Sequence, residues 1–326
     1  MQGTEAENLH TPVLLEETIR LIEPENGGLF VDATLGLGGH SEAILMASDE
    51  TELIAIDQDA AAIAKAGTRL APFGSRARLV HANFAKMKPV VRGLTKEQPQ
   101  GILADLGVSS LQFDSDSRGF SFRFDAPLDM RMDQQGDGET AADILATRSE
   151  EEIANIIYHF GEERHSRRIA RRIVEAREHG ETVKTTGELV RLVERSVRRS
   201  PRDKIHPATR TFQALRIAVN NELEIIEGFI LDSIEILKTE GILEVITFHS
   251  LEDRIVKQVF QRLAGKCSCP PRIPQCICGA AKRVEILTRR PVIPGDAEIS
   301  ANPRARSAKL RACKKLEFET LSGDLP

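Results

Sequence analysis

No stretch of this chain approaches the ~20 consecutive apolar residues that a helix needs to span a bilayer, which excludes a transmembrane-helix protein. The opening residues, MQGTEAENLH, are polar and carry acids, so a signal peptide is not expected either. The expected compartment is therefore the cytoplasm, with no membrane partner. An excess of positive charge is also missing: 44 lysines and arginines against 49 acids leave a net charge of −5. That argues against a protein coated in nucleic acid, but it leaves room for a local basic face. Cysteine is scarce, at 5 residues, and four of them (Cys267, Cys269, Cys276 and Cys278) crowd into CSCPPRIPQCICG. In a reducing compartment such a cluster points to metal more than to disulfide. Its C-x-C spacing departs from the C-x-x-C of zinc ribbons. A structural zinc and a surface loop of reduced thiols both stay open, and no metal ligand is assigned. Internal repeats and low-complexity segments are absent as well.

What is present is the make-up of a globular protein, 41% hydrophobic and 29% charged over 326 residues. That length holds one large domain or two ordinary ones. Val13 to Ile22 has apolar residues at helical spacing. Then the pattern alternates. Leu29 to Val31 reads as a strand, SEAILMAS as a helix, ELIAIDQD as a strand ending on Asp57, and AAAIAKAGTRL as a helix. ARLVHANF is a third strand, and Ile102 to Ala104 form the body of a fourth. Strands alternating with helices predict βαβ units and a parallel sheet covered on both faces. From about Phe113 to Arg210 the strand signal disappears. Glu150 to His179 is a helix-friendly run interrupted near Gly161. Thr186 to Arg199 is another, with Thr185 or Thr186 as N-cap and Glu188 in its first turn. Strand patterns return in GILEVITFHS, KRVEILTRRPV and AKLRACKKLEFE. The expected architecture is α/β: a doubly wound, mostly parallel, Rossmann-like sheet built from residues 1–112 and 216–326, with a helical domain inserted at 113–215.

The first strand ends on Asp32, and Gly36, Gly38 and Gly39 follow. Glycines there let backbone approach a ligand closely. Asp57 ends the second strand about 20 residues later, where a carboxylate can accept hydrogen bonds from ribose hydroxyls. Both features suit nicotinamide enzymes as well as S-adenosylmethionine enzymes. The order Gly36-Leu37-Gly38-Gly39-His40 departs from the G-x-G-x-x-G that seats a pyrophosphate. Adenosylmethionine has no phosphate and carries a sulfonium, which an acid such as Asp32 suits. A methyltransferase is therefore the favoured reading. A nicotinamide-dependent oxidoreductase, a glycine loop without ligand, and a non-catalytic RNA-binding or ribosome-assembly protein are the rivals.

Eight segments are similar to the MraW (RsmH) family of 16S ribosomal RNA cytosine-N4 methyltransferases. They are HTPVLLEE (His10 to Glu17), DATLGLGGHS (Asp32 to Ser41), DLGVSS (Asp105 to Ser110), RGFSF (Arg118 to Phe122), PLDMRMD (Pro127 to Asp133), HPATRTFQALRIAVN (His206 to Asn220), TFHSLEDRIVK (Thr247 to Lys257) and NPRARSAKLR (Asn302 to Arg311). They run nearly end to end; the cysteine cluster is not counted among them. The resemblance implies S-adenosylmethionine as cofactor and the small-subunit 16S rRNA as partner, in a monomer or homodimer. Carried over by position, Gly38, Gly39 and His40 contact the cofactor, Asp57 holds its ribose, Phe84 lies near its adenine, and Asp105 and Gln112 close the pocket. An aromatic face at Phe84 suits a purine, although core packing would explain it too.

The exocyclic amine of cytosine is a poor nucleophile because its lone pair is delocalised into the ring. Alignment with the sulfonium methyl and hydrogen bonds from its N–H groups help it. Many amino methyltransferases use D/N-P-P-Y/F after the fourth strand for this; here the place reads Asp105-Leu106-Gly107-Val108. Asp105, or the backbone carbonyl of Leu106, is the expected amine-orienting group. His249, at a carboxyl strand end, is a second catalytic candidate, with a structural role as its alternative. The target base must be splayed out of folded RNA. Between Arg164 and Arg216, 15 lysines and arginines stand against 6 acids, including Arg167, Arg168, Arg171 and Arg172 and then Arg198, Arg199, Arg202 and Lys204. This predicts phosphate binding, with a solvated helix face as the alternative. Phe120 and Phe122, beside Arg118 and Arg123, are expected either to stack on bases or to pin the insertion to the sheet.

Overall fold

The computed structural model describes residues 12–113, 115–197, 205–267, 269 and 280–317. The chain divides into two compact units, with boundaries at Gly107/Val108 and Leu223/Glu224. In chain order, the first unit begins with α1 (Leu15–Ile22), β1 (Gly28–Asp32), α2 (Gly39–Met46), β2 (Thr51–Asp57), α3 (Ala60–Leu70), β3 (Ala77–His81), α4 (Met87–Leu94) and β4 (Gly101–Asp105). The second unit holds α5 (Ser110–Phe113), α6 (Ala141–Thr147), α7 (Glu150–Gly161), α8 (Ser166–Glu178), α9 (Thr186–Ser196) and α10 (Ala208–Asn220). The first unit then resumes with α11 (Glu224–Ile236), β5 (Ile242–Thr247), α12 (Ser250–Leu263), β6 (Val284–Ile286), α13 (Asp296–Ala301) and β7 (Lys309–Lys315).

The sheet of the first unit has the order β3-β2-β1-β4-β5-β7-β6. The strands from β3 to β5 are parallel, and β7 runs antiparallel to both β5 and β6. The expected doubly wound, Rossmann-like sheet is what forms. Its central parallel strands are mostly apolar because helices cover both faces, and Phe30, Ile54, Leu103 and Ile246 are all buried, whereas the edge strand β3 carries Arg78 and the exposed His81. The order reverses between β1 and β4. In open α/β sheets ligands collect at such a switch point, outside the carboxyl ends of the strands. That places Asp32, Asp57 and Asp105, which end three adjacent strands, at the mouth of one crevice.

The second unit contains no named strand among its described residues; its one β-bridge joins Pro127 to Thr185. Its helices start on strong local signals. Thr140 with Asp143, Ser149 with Glu152 and Thr185 with Glu188 form capping boxes that satisfy first-turn N–H groups. Of the two residues read as the α9 cap, Thr185 is the one. The break in the 150–179 run comes where Glu162 turns left-handed at φ 50° and ends α7. Gly161 is required for packing: a Cβ there would lie 2.5 Å from the Arg210 carbonyl oxygen of α10. Ile153, Ile157, Ile169, Ile173, Leu189, Val193, Phe212 and Leu215 make this unit's own core.

The unit boundaries lie outside the expected 113–215 on both sides. Val108 packs against the helical core, and α10 runs past residue 215 without a break to Asn221, whose left-handed φ of 51° stops it. A second difference concerns Phe120 and Phe122. Phe120 is buried, and the Phe122 ring lies 4.9 Å from that of His206 and 5.0 Å from that of Phe212. Both are packing residues of the helical unit itself. The aromatics this unit does expose are Phe124 and Tyr158. Arg198, Arg199, Arg202 and Lys204 lie outside the described residues, as do Cys276 and Cys278. Among the described residues, no helix is long and apolar enough to cross a membrane.

Candidate cofactor site

The crevice is built from β1 outward. Asp32, buried at the end of β1, accepts from the Thr34 N–H through Oδ1 (3.1 Å) and from the Ser41 hydroxyl through Oδ2 (2.6 Å). One carboxylate thus closes the turn after β1 and ties it to the first turn of α2. Thr34 extends the brace sideways: its Oγ1 accepts from the Asp105 N–H at 2.6 Å, joining the end of β1 to the end of β4.

Between them runs the glycine turn. The Gly36 N–H donates to Asp57 Oδ2 at 2.7 Å, and the Asp59 N–H donates to Asp57 Oδ1 at 2.8 Å. Each Asp57 oxygen therefore holds at least one backbone bond, a third coming to the carboxylate from Gln58, and lone-pair capacity is left over. Gly36 sits at φ 52°, and a Cβ there would meet nothing nearer than the Thr34 carbonyl oxygen at 3.9 Å, so its outer side is open. Gly38 and Gly39 are glycines for packing. Gly38, at φ 77°, caps α2 and lies against Ala66 and Leu70 of α3; a Cβ on Gly39 would overlap Pro12. Their contribution to a ligand is the open first turn of α2, whose leading N–H groups lack intrahelical acceptors.

His40 is buried on that first turn. Its Nε2 lies 3.0 Å from the Val13 carbonyl oxygen. A carbonyl only accepts, so Nε2 carries the proton. Nδ1 then faces Asp105 Oδ2 at 4.0 Å. Asp105 Oδ1 is buried and has no hydrogen-bond partner among the described residues. Burial holds the Asp105 carboxyl well above the usual range, and the charges of Asp32 and Glu252 push the same way. Burial also raises Asp32, to about 6, and Asp57. Three acids of raised pKa at the ends of adjacent strands make a site that favours a cation.

Phe84 opens the helical turn Phe84–Lys86 after β3, half-buried, with its ring edge-on to Phe229 at 5.3 Å. The aromatic contact fixes the ring while part of it stays open to a flat partner. His249 follows β5 and caps α12: the Glu252 N–H donates to its Nδ1 at 3.4 Å, and its Nε2 lies 3.1 Å from Glu252 Oε1. Both ring nitrogens thus face the first turn of α12. Gln112 belongs to the helical unit, where its Oε1 accepts from the Ser109 N–H at 3.1 Å. Sequence reasoning missed Thr34 and the clamp from Asp32 to Ser41. The signal was there: an acid two residues before a threonine, directly after a strand, is the pattern of a side chain closing its own turn.

The residues fit S-adenosylmethionine. The orphaned Asp105 oxygen and its buried acidic neighbours suit a sulfonium or ammonium charge, and the spare lone pairs of Asp57 suit ribose hydroxyls. Fold and site together define a Rossmann-like methyltransferase. The chain belongs to the MraW methylase family, whose model matches residues 7–316. It is similar to proteins named ribosomal RNA small subunit methyltransferase H. That of Brevibacillus brevis is 50% identical over 311 residues, covering 94% of this chain and 98% of the relative. That of Carboxydothermus hydrogenoformans is 48% identical over 309 residues, covering 95% and 98%. That of Geobacter sulfurreducens is 50% identical over 309 residues, covering 94% and 99%.

Proposed function

We propose that this chain transfers a methyl group from S-adenosylmethionine to the exocyclic N4 of a decoding-site cytidine in the 16S rRNA of the small ribosomal subunit. The family and its relatives support the RNA substrate; the target atom follows from the resemblance of the eight segments. The observation that carries the reaction is Asp105: a raised carboxyl with a buried, unpartnered oxygen at the sheet's switch point, braced by Thr34 and flanked by His40.

The cofactor supplies an electrophilic methyl group on a sulfonium. Asp57 holds the ribose, the open first turn of α2 from Gly38 to His40 faces the amino-acid tail, and Phe84 offers a face to the adenine. Gln112 is carried over from the resemblance as a further cofactor contact. Asp105 accepts a hydrogen bond from the target amine and directs its lone pair at the methyl group. A fixed acceptor of this kind costs no reorganisation at the moment of transfer. The amine is not protonated in the ground state, so its N–H is acidified only as the new bond forms, and Asp105 or the Leu106 carbonyl is the proposed acceptor of that proton.

Replacing Asp105 tests this. Asp105→Asn should lower turnover by about 10²-fold or more, the usual range for a proton-handling group. If single-turnover rates at saturating cofactor stayed at wild-type level while cofactor affinity fell, Asp105 would be a binding residue only. For His249 we favour the capping role. His249→Asn keeps a cap-forming side chain and should keep both turnover and stability, whereas His249→Ala should lose about 1 kcal/mol of stability. Loss of turnover in a stable His249→Asn variant would restore its catalytic candidacy.

A further inference from the structure

At the edge of the sheet opposite β3, α12 packs over β6 and β7 and leaves a cleft of about 180 Å3. Lys257, Phe260 and Gln261 of α12 line it on one side; Ile286, Thr288, Arg289 and Arg311 line it on the other. Three of these seven side chains are cations and none is an acid. Arg311 is the centre of the arrangement. It is 6% exposed, yet its side chain's only hydrogen bond among the described residues runs from Nε to Asp253 Oδ1, at 2.6 Å. Asp253 is shared with Lys309 at 3.2 Å, so its charge is more than balanced. That ion pair fixes the guanidinium plane, and the two outer nitrogens of this cleft-lining side chain make no hydrogen bond among the described residues. Thr288 is held too, because its Oγ1 accepts from the Ala312 N–H at 2.9 Å, which frees its hydroxyl proton to donate. Lys257 and Arg289 stand exposed at the rim and make no ion pair or hydrogen bond among the described residues.

A preorganised guanidinium, a hydroxyl donor and two unpaired cations form a phosphate-binding set. The apolar lining is confined to Phe260 and Ile286, of which Phe260 is buried, so the cleft has no platform for a base. A phosphate that belongs to a continuing strand fits the exposed rim better than a whole nucleotide does. We propose that this cleft binds a backbone phosphate of the RNA substrate, so that the sheet unit holds an RNA contact of its own, distinct from the basic helices of the other unit. The proposal rests on the reading of the substrate as ribosomal RNA.

The test is the double variant Lys257→Gln/Arg289→Gln, which leaves the Arg311–Asp253 pair intact. Its binding to small-subunit rRNA is compared with wild type across a potassium chloride series. Two lost phosphate contacts should reduce the slope of log K against log salt by about 1.4 to 1.8 and weaken binding several-fold near physiological salt. S-adenosylmethionine affinity, read by calorimetry, should be unchanged. A control, Lys65→Gln/Lys96→Gln, removes the same charge from exposed positions elsewhere on the unit. Equal losses in the control would reduce the effect to net charge and overturn the site. Wild-type binding with an unaffected double variant would also overturn it, and the substrate reading would stand. A wild-type protein with no affinity for the RNA would overturn the substrate reading itself. Inorganic phosphate is titrated separately: saturable binding that the double variant loses, with RNA affinity unchanged, would assign the cleft to a free anion and overturn the RNA assignment.

Discussion

Asp57, Asp32 and Asp105 end three neighbouring strands, and burial holds each carboxyl above its ordinary value. The sign of the consequence is fixed. A carboxyl raised in the folded state binds more protons folded than unfolded, so stability falls as pH rises through the interval between the two values. For Asp32 that interval runs from 3.8 to about 6, and such a shift corresponds to roughly 3 kcal/mol at 1.36 kcal/mol per unit. The acids with lowered pKa, such as Asp129 and Asp253, act below this window. The ligand-free protein is therefore expected to melt at higher temperature near pH 5 than near pH 7.5. A bound cation favours the ionised acids, so S-adenosylmethionine affinity should rise with pH and binding should release protons, measurable by calorimetry in buffers of different ionisation enthalpy. S-adenosylhomocysteine keeps the ammonium but lacks the sulfonium charge, and should show a weaker dependence. Equal pH dependence for the two ligands would remove the acids from the role given to them. Glu244 is a separate case: it is fully buried on β5, with neither carboxylate oxygen hydrogen-bonded. Glu244→Met should raise stability by about 1–3 kcal/mol, the usual penalty of an unsatisfied buried group. A destabilised variant would mean that Glu244 has a partner it needs.

At the scale of elements, the helical unit depends on close approach and on caps. Gly161→Ala would push a methyl group into the α10 backbone at Arg210 and should cost about 1–3 kcal/mol, as overpacking does; chemical denaturation measures it. Much of this level was legible in the sequence. The apolar bodies of β1, β2 and β4 are strands because a parallel sheet covered on both faces leaves no polar side to alternate with. The α9 cap was legible because Thr185 and Glu188 carry a local signal that no tertiary contact is needed to read. Where the reading stopped short, the deciding contacts were distant in sequence. Phe120 and Phe122, beside Arg118 and Arg123, fit base stacking and pinning of the insertion equally well in the sequence, because the helices that enclose them begin about 20 residues later. The unit boundaries differ for the same reason, since α10 packs with α7, α9 and α6, which precede it by tens of residues. Within the site, Asp57 and the glycine turn could be read from spacing. The bond from Thr34 to the Asp105 backbone could not, because it spans 71 residues and depends on β1 lying beside β4.

The whole molecule separates two kinds of charge. Three acids, Asp32, Asp57 and Asp105, meet at the carboxyl ends of the sheet, while Arg164, Arg167, Arg168, Arg171 and Arg172 stand exposed on and before α8 of the helical unit. A net charge of −5 hides this division. If the basic face meets phosphates, RNA affinity should fall by about 10³-fold or more between 50 and 200 mM salt for six or more contacts. A flat salt response would leave those arginines as a solvated surface. The most direct test of the central claim is methyl transfer itself. The protein is incubated with methyl-labelled S-adenosylmethionine and small ribosomal subunits that lack the modification, and the 16S rRNA is then digested to nucleosides. The account predicts label in N4-methylated cytidine from the decoding site, with an initial rate lower by about 10²-fold or more when Asp105→Asn replaces the wild type. Absence of label from the RNA, or label at a different atom or nucleoside, would contradict it.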